Sequence, residues 1–342
     1  MRIMITGGAG FIGSALIRHL IEEGDYTVLN FDALTYAGDL ETVADVSKSE
    51  LYQFFHGDIR KKSDLIDAFR QFDPDAVIHL AAESHVDRSI SNSADFITTN
   101  INGTHTLLSA ATAHQQSLSS DRKNHFRFIH VSTDEVYGSL GFDDQPFKID
   151  TPYAPNSPYA ASKAASDHLA RAWFKTYGLP VIITHCSNNY GPYQYPEKLI
   201  PVVIRAALNG QPIPIYGTGE NIRDWIHVED HVLALREILK AGQPGEIYNI
   251  GGDCELSNIE LVEMICENLQ KLLPETAADF KSLINFVEDR KGHDLRYAIS
   301  NKALYKSLGW SPIVPFEEGL TQTVAWYLDH RDWLNKEQAE AA

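Results

Sequence analysis

Residues 1–13, MRIMITGGAGFIG, decide the fold. A short apolar run of strand character, residues 1–6, gives way to Gly7, Gly8 and Gly10. The next segment, Phe11–Glu23, carries Phe11, Ile12, Ala15, Leu16 and Leu20 at helical spacing. Glycine is demanded between a strand and a helix on three counts: the turn is tight, the backbone must approach a pyrophosphate, and the helix must pack closely on the sheet. The helix N-terminus then offers free N–H groups and a positive dipole end to the phosphates. Working outward, a second strand-like run at 26–31 ends at Asp32. A carboxylate there accepts from ribose hydroxyls and repels a 2′-phosphate, which favours NAD over NADP. The plainer alternative is a glycine-rich turn with Asp32 as a strand cap, and the matched spacing weighs against it. Gly7, Gly10, Phe11, Ile12, Gly13 and Asp32 are the first candidates for cofactor binding.

The alternation continues. Strand-like runs at 51–56, 76–80, 126–132 and 180–185 are separated by helical patterns at 61–71, 92–114 and 158–177. This order predicts an α/β fold, a doubly wound (Rossmann-type) parallel sheet with right-handed crossovers. After Ser187 the texture changes. Tyr, Pro and Gly become frequent and the strands shorten, as at 213–216. Helical patterns follow at 228–241, 256–272 and 316–329. The expected division is a cofactor-binding domain over 1–187, with part of 226–255 returning to it. A smaller C-terminal α/β substrate-binding lobe spans 188–335, and a polar tail at 336–342 is expected to fray.

Composition bounds the partners. A net charge of −17 sets the surface against nucleic acid and anionic membranes, so an anionic substrate needs a local basic pocket. The three cysteines, Cys186, Cys254 and Cys266, form no CxxC pair. A disulfide framework and a metal site are therefore not expected, and a reducing, cytoplasmic setting fits best. No run approaches the ~18 consecutive apolar residues of a membrane span.

Ligands of open α/β sheets collect at the carboxyl ends of the strands. Asp58 and Ile59 follow the third strand, where an acid can bond an adenine amino group and an apolar side chain can cover the ring. Leu80, Ala81, Ala82, Glu83 and Ser84 follow the fourth, with small residues that let a cofactor lie on the sheet edge. Thr133, Asp134 and Glu135 follow the fifth. Thr133 can donate to a reacting hydroxyl, and two adjacent acids just past a buried strand imply a task or a partner. Tyr159 and Lys163, four apart, share one helix face. The ammonium is expected to lower the phenol toward working pH and make it a base. Solvated loop acids and a surface Tyr/Lys pair are the bland readings of these last two motifs.

Together these residues resemble the extended short-chain dehydrogenase/reductase group, NAD-dependent epimerases and dehydratases, and within it the dTDP-glucose 4,6-dehydratases. The likeness runs through GGAGFIG, LAAESHVD, VSTDEVYG, SPYAASKAASDHL, NNYGPYQ, PEKLIP, PIYGTGENIRDW and DRKGHDLRYA. The TDE triplet discriminates best, since related epimerases share the glycine loop and the Tyr/Lys pair. The resemblance implies conversion of dTDP-glucose to its 4-keto-6-deoxy product. Tyr159 would deprotonate the sugar 4-hydroxyl, Glu135 would take the carbon 5 proton, and Asp134 would protonate the departing carbon 6 hydroxyl, with NAD regenerated within one turnover. It adds Ala33, Leu34, Thr35, Thr99 and Asn189 to the cofactor contacts. Around the nucleotide sugar it places Ser84, Thr133, Asn188, Lys198, Leu199, Pro214, Ile215, Tyr216, Arg223, Asn258, Asp289, Arg290, Lys291, Gly292 and His293. Lys291 stands where a proline is common in the family, which would alter loop stiffness. The resemblance also implies a homodimer through two long helices. Ile97, Ile101, Thr104, Leu107, Leu108 and Ala111 fit such a buried stripe, or equally an intrachain core. The rivals are a dehydratase of a UDP-, GDP- or CDP-linked sugar, a 4-epimerase, and a non-catalytic NAD sensor on the same fold.

Overall fold

A computed structural model describes residues 1–336; the expected tail lies outside the described residues from 337 onward. Apolar runs buried on both faces form the parallel strands. They are β1 (Arg2–Thr6), β2 (Thr27–Asp32), β3 (Tyr52–His56), β4 (Ala76–His79), β5 (Arg127–Thr133) and β6 (Val181–Cys186). The chain then makes β7 (Asn188–Tyr190), β8 (Ile213–Tyr216) and β9 (Ile222–His227), returns for β10 (Ile247–Ile250), and ends its strands with β11 (Glu255–Ser257) and β12 (Ile284–Val287). The main sheet has seven strands in the order β10-β6-β5-β4-β1-β2-β3, and every pairing in it is parallel. Strand order reverses between β1 and β4, and a crevice opens there at the carboxyl ends.

Helices cover both faces. On one, Leu16, Ile17 and Leu20 of the helix Phe11–Glu23 pack with Val232, Leu235 and Ile238 of the helix Val228–Ala241 over Ile3, Ile5 and Val28. On the other, Leu65, Phe69, Leu107, Leu108 and Ala111 pack over Met4, Val77 and Phe128. Each such aliphatic or aromatic side chain contributes about 1.5–3 kcal/mol when fully buried. The stripe Thr104, Leu107, Leu108 and Ala111 is thereby used within the chain, whereas Ile97 is 50% exposed.

The lobe beyond β7 has its own core, including Tyr190, Ile204, Ile215, Trp225, Leu261, Val324 and Tyr327. Two small sheets frame it, β11-β9-β7 and β12-β8. Residues 256 and 257, expected as the start of a helix, instead belong to β11, and Ser257 with Glu260 makes a capping box that starts the helix Asn258–Leu272. Among the described residues no helix is long and apolar enough to cross a membrane.

The helical stretch expected over 92–114 is continuous from Ser93 to Ser117, but it is not regular throughout. Short helices Val86–Ser91 and Ser93–Phe96 lead into a π-helical segment, Ile97–Gly103, before the regular helix Thr104–Ser117. The physical reason sits at Asn100, which is 1% exposed and turned inward. Its amide accepts from the Glu83 N–H at 2.8 Å and donates to the Glu83 carbonyl at 3.0 Å and the Ser162 hydroxyl at 2.8 Å. A widened turn accommodates that inward side chain.

Candidate active site

The crevice is about 510 Å³ and is built from strand ends. After β1, Gly7 adopts φ +74°, and a Cβ there would stand 2.7 Å from the Ala81 nitrogen. A Cβ on Gly13 would collide with the Gly7 carbonyl oxygen. No side chain fits either position without moving backbone, which leaves the cradle bare for a phosphate. Asp32 closes the turn. Its Oδ2 accepts from the Ala9 N–H at 2.9 Å and its Oδ1 from the Leu34 N–H at 2.8 Å. These two bonds leave lone pairs on each oxygen for further donors. The Leu34 bond also holds that residue at φ +49°, a conformation a branched side chain otherwise avoids. Burial raises the Asp32 carboxyl above its ordinary range, and the N–H bonds pull it back only in part.

After β3, Ile59 is buried, and Asp58 is gripped by Arg60 through Nε at 3.0 and 2.9 Å and Nη2 at 2.7 Å. After β4, Leu80 bonds back to Thr6 at 3.0 Å, Asn100 holds Glu83, and the Ser84 carbonyl accepts from Lys198 Nζ at 2.8 Å. Ala33, Thr35, Ala81, Ala82 and Thr99 line the same crevice.

After β5, Thr133 caps the short turn Asp134–Tyr137, accepting from the Glu135 N–H at 3.3 Å. Asp134 is 1% exposed, and its Oδ2 has no hydrogen-bond partner among the described residues. Burial, then the neighbouring Glu135 and Asp224, push the Asp134 carboxyl well above the carboxylate range; Arg223 works against them. Glu135 is also raised by burial, but Arg223, Lys198 and Arg290 all favour its charged form. The two adjacent acids therefore sit in different surroundings. One is held as a proton donor, and the other is surrounded by cations that favour a proton acceptor.

Tyr159 and Lys163 lie on the helix Pro158–Tyr177, which starts with Pro158 in its first turn and the Ser157 hydroxyl accepting from the Ala160 N–H at 3.0 Å. The expected lowering of the phenol by the ammonium is not what the structure shows. Lys163 Nζ donates to the Val131 carbonyl at 2.9 Å. Burial, then Glu135, drive Tyr159 well above its ordinary value, with Thr133 opposing. The low dielectric dominates the shift.

Of the second-lobe candidates, Asn188 and Lys198 line this crevice, and Arg223 and Arg290 stand near enough to act on Glu135. Asn189 also lines it, with its amide bonded to Ser187 and His231 at 3.0 and 2.9 Å. Arg223 lies over the Tyr297 ring at 4.3 Å and donates to the Asp294 carbonyl at 3.0 Å. Arg290 pairs with Asp87 at 2.8 Å and lies 5.0 Å over the exposed Tyr216 ring. His293 bonds Asp289 at 2.7 Å, and Gly292 turns the chain beside Lys291 at φ +64°. Ile215 is 2% exposed and belongs to the second core, so only its backbone is offered to a ligand. Pro214 precedes it on β8, Leu199 begins the helix Leu199–Leu208, and Asn258 begins the helix Asn258–Leu272.

Several crevice residues escaped the sequence reasoning: Arg60, Cys186, Ser187, Gln194, Tyr195 and Glu197. Cys186 ends β6 and Ser187 follows it, so the rule applied to the other strand ends would have found them. Glu197, whose side chain is 2% exposed and accepts from Tyr36, carried no local signal.

A family model described as GDP-mannose 4,6 dehydratase matches residues 4–323. The dTDP-glucose 4,6-dehydratase of Salmonella typhimurium is 53% identical, over 100% of this chain and 96% of that protein. That of Neisseria meningitidis is 54% identical, over 97% and 94%. The crystal structure of DesIV, the dTDP-glucose 4,6-dehydratase of Streptomyces venezuelae with NAD and TYD bound, superposes with a TM-score of 0.89 at 46% identity, covering 97% of this chain and 98% of that one.

Proposed function

The chain belongs to the nucleotide-sugar 4,6-dehydratase family, among the dTDP-glucose 4,6-dehydratases, and on that premise we propose that it removes water from dTDP-glucose to give the 4-keto-6-deoxy sugar nucleotide. The observation that carries the chemistry is the asymmetric acid pair, Asp134 and Glu135, opening on the same crevice as Tyr159.

The residues present fit NAD. The glycine cradle at Gly7 and Gly13 admits no side chain, and Asp32 keeps lone pairs free. Asp32 to Thr35, Asp58, Ile59, Leu80 to Ser84, Thr99 and Asn189 would hold it. NAD supplies an acceptor, and then a donor, of hydride within one turnover. The protein moves the protons. Tyr159 takes the proton of the sugar 4-hydroxyl, with Thr133 donating to the same oxygen and Lys163 supporting the phenolate. Oxidation at carbon 4 acidifies the carbon 5 proton, which Glu135 removes. Asp134 gives its proton to the carbon 6 hydroxyl as that group leaves as water. A 4-epimerase needs the first of these groups and has no use for the acid pair.

Arg223, Arg290 and Lys198 supply positive charge for a diphosphate in an otherwise acidic protein, while burial holds His293 toward its neutral form. We take 1–187, with the return near 226–255, as the cofactor domain and 188–335 as the sugar-nucleotide lobe. The exposed Ile90, Ile97 and Tyr177 support a homodimer built on the helices flanking the sheet, and three free thiols suit the cytoplasm.

The test is Glu135→Gln. With dTDP-glucose, the unsubstituted protein forms a product lighter by one water. The variant forms that product at least a hundredfold more slowly, while reduced cofactor accumulates and is seen by absorbance. Dehydration by the variant at the normal rate would overturn the assignment of the base. Equal turnover of UDP-glucose would overturn the base preference.

A further inference from the structure

A second polar cluster lies under the crevice and is sealed from water. Asp167 sits on the helix Pro158–Tyr177, one turn beyond Lys163, and is 1% exposed. Its Oδ1 accepts from His130 Nε2 at 3.0 Å. Its Oδ2 accepts from His185 Nε2 at 3.0 Å, the Ser132 hydroxyl at 3.0 Å and the Tyr153 hydroxyl at 3.1 Å. These donors come from β5, β6 and the loop before the helix. A carboxylate only accepts, so the proton of each imidazole is on Nε2, and a neutral ring satisfies the contact.

The remaining titratable groups packed here are uncharged at neutral pH. Burial drives His130 down, and His79, whose ring lies 5.3 Å from that of His130 on β4, well down. Burial pushes the Cys186 thiol up to about 12, with Asp134 adding to it, and raises the phenols of Tyr137 and Tyr153. Burial works to raise Asp167 too, but the bonds from His130 and His185 hold it far below the ordinary carboxylate range. Asp167 is thus a dry anion. The cation one turn away on the same helix is Lys163, 5% exposed and bonded, among the described residues, only to the neutral carbonyl of Val131. Burial drives Lys163 toward the amine, and Asp167 heads the groups that oppose it, ahead of Cys186.

We propose that Asp167 is a positioning residue, a counter-anion fixed by four hydrogen bonds that keeps Lys163, one helical turn from Tyr159, an ammonium. This rests on the roles proposed above for Tyr159 and Lys163, and Asp167 acts through Lys163 alone. Without the anion, an ammonium out of water reverts to the amine and no longer supports a phenolate.

The experiment is a titration of Lys163 in holoprotein labelled with 15N-lysine, its side-chain signal identified by its loss in Lys163→Met. In Asp167→Asn the midpoint falls by about one pH unit or more. In Ser132→Ala, which removes a hydrogen bond and keeps the charge, it stays in place. The alkaline loss of kcat moves to lower pH by the same amount in Asp167→Asn, with KM for the sugar nucleotide unchanged. Equal Lys163 midpoints in Asp167→Asn and the unsubstituted protein would overturn the proposal. If Asp167→Asn does not fold, the unsubstituted protein decides: an ammonium at neutral pH supports the proposal, and a neutral amine overturns it. The titration needs no substrate, so failure to dehydrate dTDP-glucose would sink the proposed activity while leaving the role of Asp167 to be judged separately.

Discussion

In the crevice over β1, β4 and β5, position is set by backbone. Gly7, Asp32, Leu80 and Thr133 are where they are because strands end there, and their bonds run to N–H and C=O groups of adjacent segments. In the second lobe, Arg290 and His293 are set by side chains. Arg290 is held by Asp87, from the short helix Val86–Ser91 far away in the chain, and by the Tyr216 ring, and His293 is held by Asp289. The first arrangement is a property of the sheet and is insensitive to salt. The second depends on partly exposed ion pairs, each individually weak and screened. The difference predicts a division of labour. The crevice governs the chemical step and cofactor affinity, and the lobe governs substrate affinity.

That division can be broken at four points. The largest expected effect is at Tyr159. Tyr159→Phe lowers kcat about a thousandfold with little change in KM, measured at saturating sugar nucleotide. A comparable rise in KM instead would move Tyr159 to the binding side. Next is Gly13→Ala, whose Cβ meets backbone of the glycine loop. It weakens NAD binding by about a hundredfold, read by calorimetry, if overpacking there costs the usual 1–3 kcal/mol.

The third point is pH-dependent. Asp134 is held above the carboxylate range, so as pH rises past the unfolded pKa the folded protein keeps a proton that the unfolded chain has lost. This site stabilises the fold fully only below the unfolded pKa of about 3.9, and its contribution falls as pH rises. Asp134→Asn escapes that loss. It raises stability at neutral pH by about 1–3 kcal/mol, with the gap closing below about pH 4, as denaturant titrations at several pH values would show. An unchanged or lower stability at neutral pH would mean that Asp134 is not held protonated. The smallest effect is in the lobe. Arg290→Ala raises KM about three- to tenfold, leaves kcat within about twofold, and flattens the salt dependence of KM. A fall in kcat at that site would erase the distinction between the two regions.

The same contrast explains what the sequence revealed. The β1 turn, Asp32, the small residues after β4 and the acids after β5 are each legible because a local pattern marks the strand end and the fold carries all strand ends to one place. The Tyr/Lys spacing is likewise a property of one helix. What escaped has no local pattern. Asp167, His130, His185 and Tyr153 read as scattered polar residues until the sheet stacks them. The π-helical widening near Asn100 had no signal of its own, because it follows from one inward amide, bonded to Glu83, within a run of good helical spacing. The effect of Lys163 on Tyr159 was misjudged because sequence shows the neighbour and hides the burial.

The late return of β10 to the edge of the main sheet has a consequence for synthesis. β10 pairs with β6 across an excursion that builds β7, β8 and β9. A nascent chain halted after Cys186 presents β6 as a raw, hydrogen-bond-hungry border, ready to recruit another such chain. The nucleotide domain therefore cannot be finished on the ribosome before much of its companion lobe has emerged. A fragment cut between the lobes should aggregate rather than fold.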